Sequence, residues 1–247
     1  MKQIITLYLL LTAFHLQAQN LDTLTQLNQL TIDKGYYKSP KGTVYKISVE
    51  KAEWSDDEGA VKDRGVLNDN CLDSLYSGKD RVLAKTSIVA GRAKIVATVS
   101  DLIRLLPKDS VMRKKVKKKS PRVVEEMQNI RLKKDTYLYA FAKEGDGDYH
   151  IIIGDHFIAS KATFLNVEIS GLLTNDKTLS NPRRAFEKQF IGMCSSDYII
   201  FENPLKIDIQ GSLFFDVSHT KGQVGPKNFK PQTNWELHPV SKIRFID

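Results

Sequence analysis

Residues 137–155 read YLYAFAKEGDGDYHIIIGD. Tyr137, Tyr139 and Phe141 are two residues apart, so they share one face of an extended strand. Gly145, Asp146, Gly147 and Asp148 interrupt the pattern, and a second apolar run follows at once. Two short apolar runs around a Gly/Asp turn predict a β-hairpin. Asp146, Asp148 and His150 also fall two apart, which puts them on one face if the second strand starts early. Glu236 and His238 repeat the acid–imidazole spacing near the C-terminus.

Outward from this hairpin, residues 164–169 (FLNVEI) predict a third strand. Residues 181–190 predict a helix, with Asn181 as N-cap and Pro182 at the first helical position. In residues 205–216, Leu205, Ile207, Ile209, Leu213 and Phe215 face one way, while Lys206, Asp208, Gln210 and Ser212 face the other. Residues 235–246 predict a last strand, interrupted at Pro239. The order is strand, strand, strand, helix, strand, strand. It predicts a mainly β chain in which residues 121–247 form a five-stranded OB-like barrel, with one helix between strands three and four.

Residues 19–120 form a less regular N-terminal region. Leucines at 21, 24, 27 and 30 have helical spacing, and residues 43–49 alternate as a strand. Residues 53–80 are rich in Asp, Gly, Asn and Ser and predict an irregular segment. Residues 88–99 fit strands around Gly91, and residues 100–106 fit a helix capped by Ser100 with Asp101 in its first turn.

Lys2, the apolar run 4–14 and the small residue Ala18 predict a signal peptide over residues 1–18. The expected location is therefore periplasmic or extracellular. No later segment is long and apolar enough to span a membrane. Cys71 and Cys194 are the only cysteines, which leaves a disulfide and two separate thiols both open. The absence of CxxC excludes cysteine-type zinc sites.

The net charge is +8, and residues 101–135 alone hold twelve Lys/Arg against five Asp/Glu. The centre of that surplus is Arg113, Lys114, Lys115, Lys117, Lys118 and Lys119, read as a basic linker over residues 113–119. Such a run attracts nucleic acid, acidic glycan or an anionic surface, or is simply a solvated linker.

The Asp146-Gly147-Asp148 turn in this strand order resembles the staphylococcal-nuclease type of OB-fold. That family has Asp-Gly-Asp-Thr at the same turn, and its second Asp helps hold calcium. The resemblance implies that Asp148 is a metal-holding carboxylate, with Tyr149 in place of the threonine. Glu168 is the only acid in the third strand and that strand has no arginine, so the family's full catalytic set is absent. The chain also resembles a set of uncharacterised bacterial exported proteins that share DGDxH, VEI, FFDxxH and ELHPV segments. These occur here at residues 146–150, 167–169, 214–219 and 236–240. That resemblance covers roughly the C-terminal half and implies no activity.

The chemistry-bearing residues form one candidate set. Asp146, Asp148, Glu236 and His238 are candidate ligands of a divalent metal such as calcium. His150, Glu168 and His219 are candidate acid–base groups. Arg183 and Arg184 join the basic run as candidate polyanion contacts. The competing reading is structural: Gly and Asp make a turn, and the imidazoles pin strands. No GxSxG elbow, GxxxxGK[ST] loop or GxGxxG fingerprint is present. The leading expectation is an exported OB-fold protein that binds a polyanionic or oligomeric ligand, nucleic acid or glycan. The alternatives are a metal-dependent phosphodiesterase or nuclease, and a structural envelope protein.

Overall fold

The computed structural model describes residues 35–52, 54, 80–172, 174–219 and 223–246. The expected signal peptide, the leucine-spaced segment 21–30 and nearly all of 53–80 lie outside the described residues. Cys194 is disulfide-bonded, while Cys71 lies outside the described residues.

The described chain is mainly β. Its strands are β1 (Tyr36–Lys38), β2 (Val44–Glu50), β3 (Lys94–Val96), β4 (Asn129–Leu132), β5 (Tyr137–Lys143), β6 (Tyr149–Gly154), β7 (Phe164–Ile169), β8 (Tyr198–Phe215) and β9 (Trp235–Phe245). Its α-helices are α1 (Val82–Thr86), α2 (Val99–Leu105), α3 (Asp109–Lys115) and α4 (Lys177–Gln189). All nine strands belong to one sheet. Within it β8, β5, β6, β7 and β9 pair in turn, and β9 pairs back to β8, so these five strands close into a ring. β7 and β9 run parallel, while the other ring pairs run antiparallel. β2 and β4 pair with β8 outside the ring, and β3 pairs with β4. Strands from before residue 120 thus extend the same sheet.

Period-2 alternation sorts the ring's side chains into two faces. Leu138 and Phe141 (β5), Ile151 and Ile153 (β6), Leu165 and Val167 (β7), Ile207 and Leu213 (β8), and Trp235 and Leu237 (β9) belong to one continuous apolar cluster. Residues from all five strands of a closed ring can meet only inside it. Phe186 and Phe190 of α4 join the same cluster, with Phe141 and Phe186 ring centroids 5.0 Å apart in an edge-to-face contact.

Several boundaries differ from the sequence reading, each for a local reason. β8 begins at Tyr198 rather than 205, because Pro204 is absorbed where the β5–β8 register shifts. α4 starts at Lys177, where the Asp176 carboxylate accepts from Thr178 N at 2.8 Å; Asn181 and Pro182 lie inside it. α2 is capped by Thr98, whose hydroxyl accepts from Asp101 N at 3.1 Å. The expected cap, Ser100, instead joins α2 to the β6–β7 connection through Asp155 and Thr163.

The basic run is not a free linker. Arg113, Lys114 and Lys115 form the last turn of α3, where positive charge suits the helix C-terminus. Met112 and Val116 on either side are fully buried and anchor the run to the core.

Candidate functional site

The β5–β6 hairpin brings in the first acids. Glu144 N donates to Asp148 O at 2.9 Å, and Gly147 takes φ +96°, a left-handed conformation that favours glycine. The Asp146 carboxylate accepts from Asp148 N at 3.1 Å, a local Asx-type closure. Gly171 packs so tightly on this turn that a Cβ there would sit 2.4 Å from Gly147 C. Arg183 fastens the turn from α4, donating to Gly147 O at 3.0 Å and Ser170 O at 3.1 Å. β6 begins at Tyr149, so Asp146 belongs to the turn and only His150 to the strand.

The residues that alternate with the ring's apolar interior point outward. On β6, β7 and β9 the polar ones are His150, Asn166, Glu168, Glu236 and His238, while Ile152 and Phe164 on the same side join a second apolar cluster with Tyr139 and Tyr198. Strand register sets them side by side, with His150 opposite Glu168 and Asn166 opposite Glu236. Asp216 and His219, just after β8, close the row from the other side. This outer face is as dry as the inside. None of Asp146, Asp148, His150, Glu168, Asp216, His219, Glu236 and His238 is more than 6% exposed. Trp54 packs on His150 with centroids 5.5 Å apart, and buried Lys85 comes from α1.

Distances define one connected cluster. His238 Nδ1 lies 2.7 Å from Glu168 Oε2 and 3.8 Å from Glu236 Oε2, and its Nε2 lies 3.3 Å from Asp148 Oδ2. His219 Nε2 lies 2.9 Å from Asp216 Oδ2 and 3.9 Å from Glu236 Oε1. The Asn166 amide donates to Glu168 Oε1 at 2.8 Å and to Glu236 Oε1 at 2.9 Å. Three groupings place one ligand atom from each member within 4.8 Å: Glu144–His150–Glu168, Asp148–Glu168–His238 and Asp216–His219–Glu236. The imidazole–carboxylate contacts are close ion pairs whose ring N–H groups do not point straight at the oxygens. Asp148 Oδ2, Glu168 Oε2, Glu236 Oε2 and both ring nitrogens of His238 are buried without an aligned partner. Buried polar atoms are ordinarily satisfied, so convergent orphans mark a place built for something more.

Electrostatics explains the charge pattern. Burial opposes the Lys85 ammonium, but the carboxylates of Glu168, Asp216, Asp146 and Asp148 outweigh it and hold its pKa well above the ordinary lysine value. Burial likewise opposes the His238 imidazolium, and the Glu168 carboxylate beside it reverses the balance, raising it well above the usual histidine range. Glu168 and Asp216 are pushed up by burial yet held below the carboxylate range by His238 and His219 respectively, with Lys85 assisting both. Burial first, then a neighbouring carboxylate, raises both Asp146 and Glu236 to about 7. Burial dominates at His150, pushing it down to about 3, so it is neutral, with Tyr198 Oη 3.1 Å from its Nδ1.

All seven acids and imidazoles singled out from the sequence therefore stand in or beside one cluster. Asp216, Asn166, Glu144 and Lys85 were not among them. Asp216 was legible as the acid of Phe214-Phe215-Asp216, three residues before His219. Lys85 carries no motif and comes from a distant segment. The basic candidates do not join the site. Arg183 is buried, bonded to the hairpin turn and paired with Glu187 at 2.9 Å, so it is not free for phosphate. Arg113 donates to His219 O at 2.8 Å, Lys115 pairs with Glu125, and Lys118 lies 3.7 Å from Asp80. Lys114, Lys117, Lys119 and Arg184 are exposed.

Fold and site together define a mainly β protein with a closed five-strand ring and a buried carboxylate–imidazole centre on the ring's outer face. No protein-family model, no curated protein and no solved structure matches the chain. No helix among the described residues is long and apolar enough to cross a membrane.

Proposed function

We propose that the ring is an OB-type barrel serving as a binding module, with a divalent cation at its outer polar centre. The ring order β5–β6–β7–β9–β8, with β7 and β9 parallel and α4 between β7 and β8, supports the OB reading. In OB-folds the second and third strands, flanked by the first hairpin turn and the connection between the last two strands, carry the ligand face. Here that place is the outer face of β6 and β7, between residues 144–148 and 216–234. The single carrying observation is the convergence there of buried, unaligned ligand atoms from Asp148, Glu168 and His238. Carboxylates and imidazoles deprotonate to become ligands, and a cation would neutralise a site that otherwise relies on Lys85 and shared protons.

The centre's closure favours binding or scaffolding over hydrolysis, because a catalytic metal keeps an open position for substrate. The bound partner is a polyanionic or oligomeric molecule, nucleic acid or glycan, attracted by the exposed lysines of residues 114–119. Exposed Arg184 lies beside a separate cleft of about 420 Å³ that Thr174 and Ser180 also line. The leader-like sequence of residues 1–18 supports a periplasmic or extracellular location.

The test uses tag-free protein stripped with chelator and reloaded with calcium, magnesium, manganese or zinc. A raised thermal midpoint with at least one ion, abolished in Glu168→Gln with Asp148→Asn, is expected. No shift with any ion sinks the cation centre. Fluorescence anisotropy with single-stranded DNA and with heparin at low salt tests the partner, and absence of binding to both removes the polyanion.

A further inference from the structure

We infer that the centre holds two transition-metal ions bridged by the Glu236 carboxylate. This deepens the cation-centre reading and rests on it. The observation is the orientation of Glu236. Its Oε2 faces His238 Nδ1 at 3.8 Å, and its Oε1 faces His219 Nε2 at 3.9 Å. One carboxylate thus presents an oxygen to each of two separate ligand groups. On one side are Asp148, Glu168 and His238, and on the other Asp216 and His219. The gaps near 4 Å are too long for hydrogen bonds and suit atoms that share a metal ion between them.

The surrounding residues hold this arrangement. The Asn166 amide donates to both Glu168 and Glu236, fixing the two carboxylates relative to each other. Glu236 itself sits opposite Asn166 on β7 and Phe214 on β8, so strand pairing on both sides sets its position. The first group supplies Asp148, Glu168 and His238, the second supplies Asp216, His219 and Glu236, and Glu236 Oε2 reaches toward the first through His238 Nδ1 at 3.8 Å. His150 also meets Glu168, so it extends the first group rather than adding an independent bridge.

Donor chemistry narrows the ion. Calcium and magnesium take oxygen ligands almost exclusively, whereas a mixed imidazole–carboxylate set suits zinc or manganese. Carboxylate-bridged pairs of such ions stand roughly 3.5–4 Å apart.

Metal content and calorimetry on stripped, tag-free protein, reloaded separately with Zn²⁺, Mn²⁺ and Ca²⁺, test this. Two equivalents of Zn²⁺ or Mn²⁺ per chain are expected, with Ca²⁺ at least tenfold weaker. The Mn²⁺ form shows an exchange-coupled electron paramagnetic resonance spectrum. Asp148→Asn and Asp216→Asn each retain one equivalent, and Glu236→Gln abolishes the coupled spectrum. Circular dichroism confirms that each variant is folded, and the wild-type stoichiometry and spectrum decide the question if one is not. A single equivalent, uncoupled Mn²⁺, or a Ca²⁺ preference overturns the bridged pair while leaving a cation centre standing. No binding of any ion overturns both.

Discussion

The two faces of β6, β7 and β9 are equally dry and chemically opposite. Inside the ring, Tyr149, Ile151, Leu165, Val167, Trp235 and Leu237 pack as hydrocarbon and ring surface. Outside, the intervening residues around the site are His150, Asn166, Glu168, Glu236 and His238, with Ile152 and Phe164 forming an apolar margin. The inner face contributes about 1.5–3 kcal/mol per large side chain removed from water. The polar part of the outer face, beside the apolar cluster that Ile152 and Phe164 form with Tyr139 and Tyr198, bears the desolvation of its buried carboxylates, which only opposite charge, hydrogen bonds or a bound ion can offset. A protein retains such a face at the expense of stability, and that is the mark of a site.

The comparison can be broken most forcefully from the inside. Phe141 touches Phe186, Phe190 and Phe201, so Phe141→Ala should cost about 3–5 kcal/mol in urea unfolding. A loss under about 1 kcal/mol would show that the ring interior is not the dominant source of stability.

The second test separates the faces by pH. The carboxyls of Asp146 and Glu236 ionise at about 7 in the folded protein, held up by burial and then by neighbouring carboxylates. In the unfolded chain such groups ionise near about 4. The folded state therefore holds extra protons between these limits. This contribution is fully present below about pH 4 and is lost as pH rises through about 7. His238, raised by its carboxylates against burial, acts in the same direction. His150, depressed to about 3 by burial, opposes it, losing stability as pH falls below the ordinary histidine value. In chelator, the thermal midpoint should fall from pH 5.5 to pH 8, and Glu236→Gln combined with Asp146→Asn should flatten the fall. Phe141→Leu should lower the midpoint equally at every pH. A wild-type midpoint that is flat across this range contradicts the charge assignment.

The third test concerns what neutralises the outer face. Lys85 feels Glu168, Asp216, Asp146 and Asp148 together. Lys85→Met removes a positive charge that competes with a cation, so divalent-ion affinity should rise about tenfold in calorimetry, equivalent to about 1.4 kcal/mol. Unchanged or weaker affinity would place the ion away from Lys85. The smallest effect belongs to the surface. Replacing Lys114, Lys117 and Lys119 by Ala should change stability by less than about 0.5 kcal/mol per substitution. It should also lower the slope of log affinity against log salt by up to about 0.7 per lost contact with single-stranded DNA. An unaltered slope removes these lysines from binding.

Much of the ring was legible because it obeys local rules. The 164–169 strand matches β7 residue for residue, and the Gly/Asp turn lies where the β5–β6 hairpin turns. Misplacements came where tertiary contacts overrode a local signal. The strand read from 205 starts at Tyr198 instead, because the register shift in the β5–β8 pairing accommodates Pro204. Asn181-Pro182 reads as a helix start, yet Asp176 caps five residues upstream of Asn181 and one before the helix. Arg183 reads as a phosphate contact at an exposed helix start, but α4 turns it inward onto Gly147 and Ser170. The basic run reads as a linker because its six charges conceal Val116, whose burial ties it down.

The sequence by itself determined which residues alternate, and therefore that His150, Asn166, Glu168, Glu236 and His238 lie opposite the apolar interior of β6, β7 and β9. It also named most of the chemistry on the polar side, because acids and imidazoles at period two are visible in one dimension. Only the tertiary structure decided that this polar side is buried, and which groups from distant segments meet it. Lys85 and Trp54 lie more than eighty residues before Glu168, and Asp216 reaches Glu236 through the same His219. Alternation fixes the face a side chain takes, but whether that face meets water or another part of the chain depends on ring closure and on the segments laid across it.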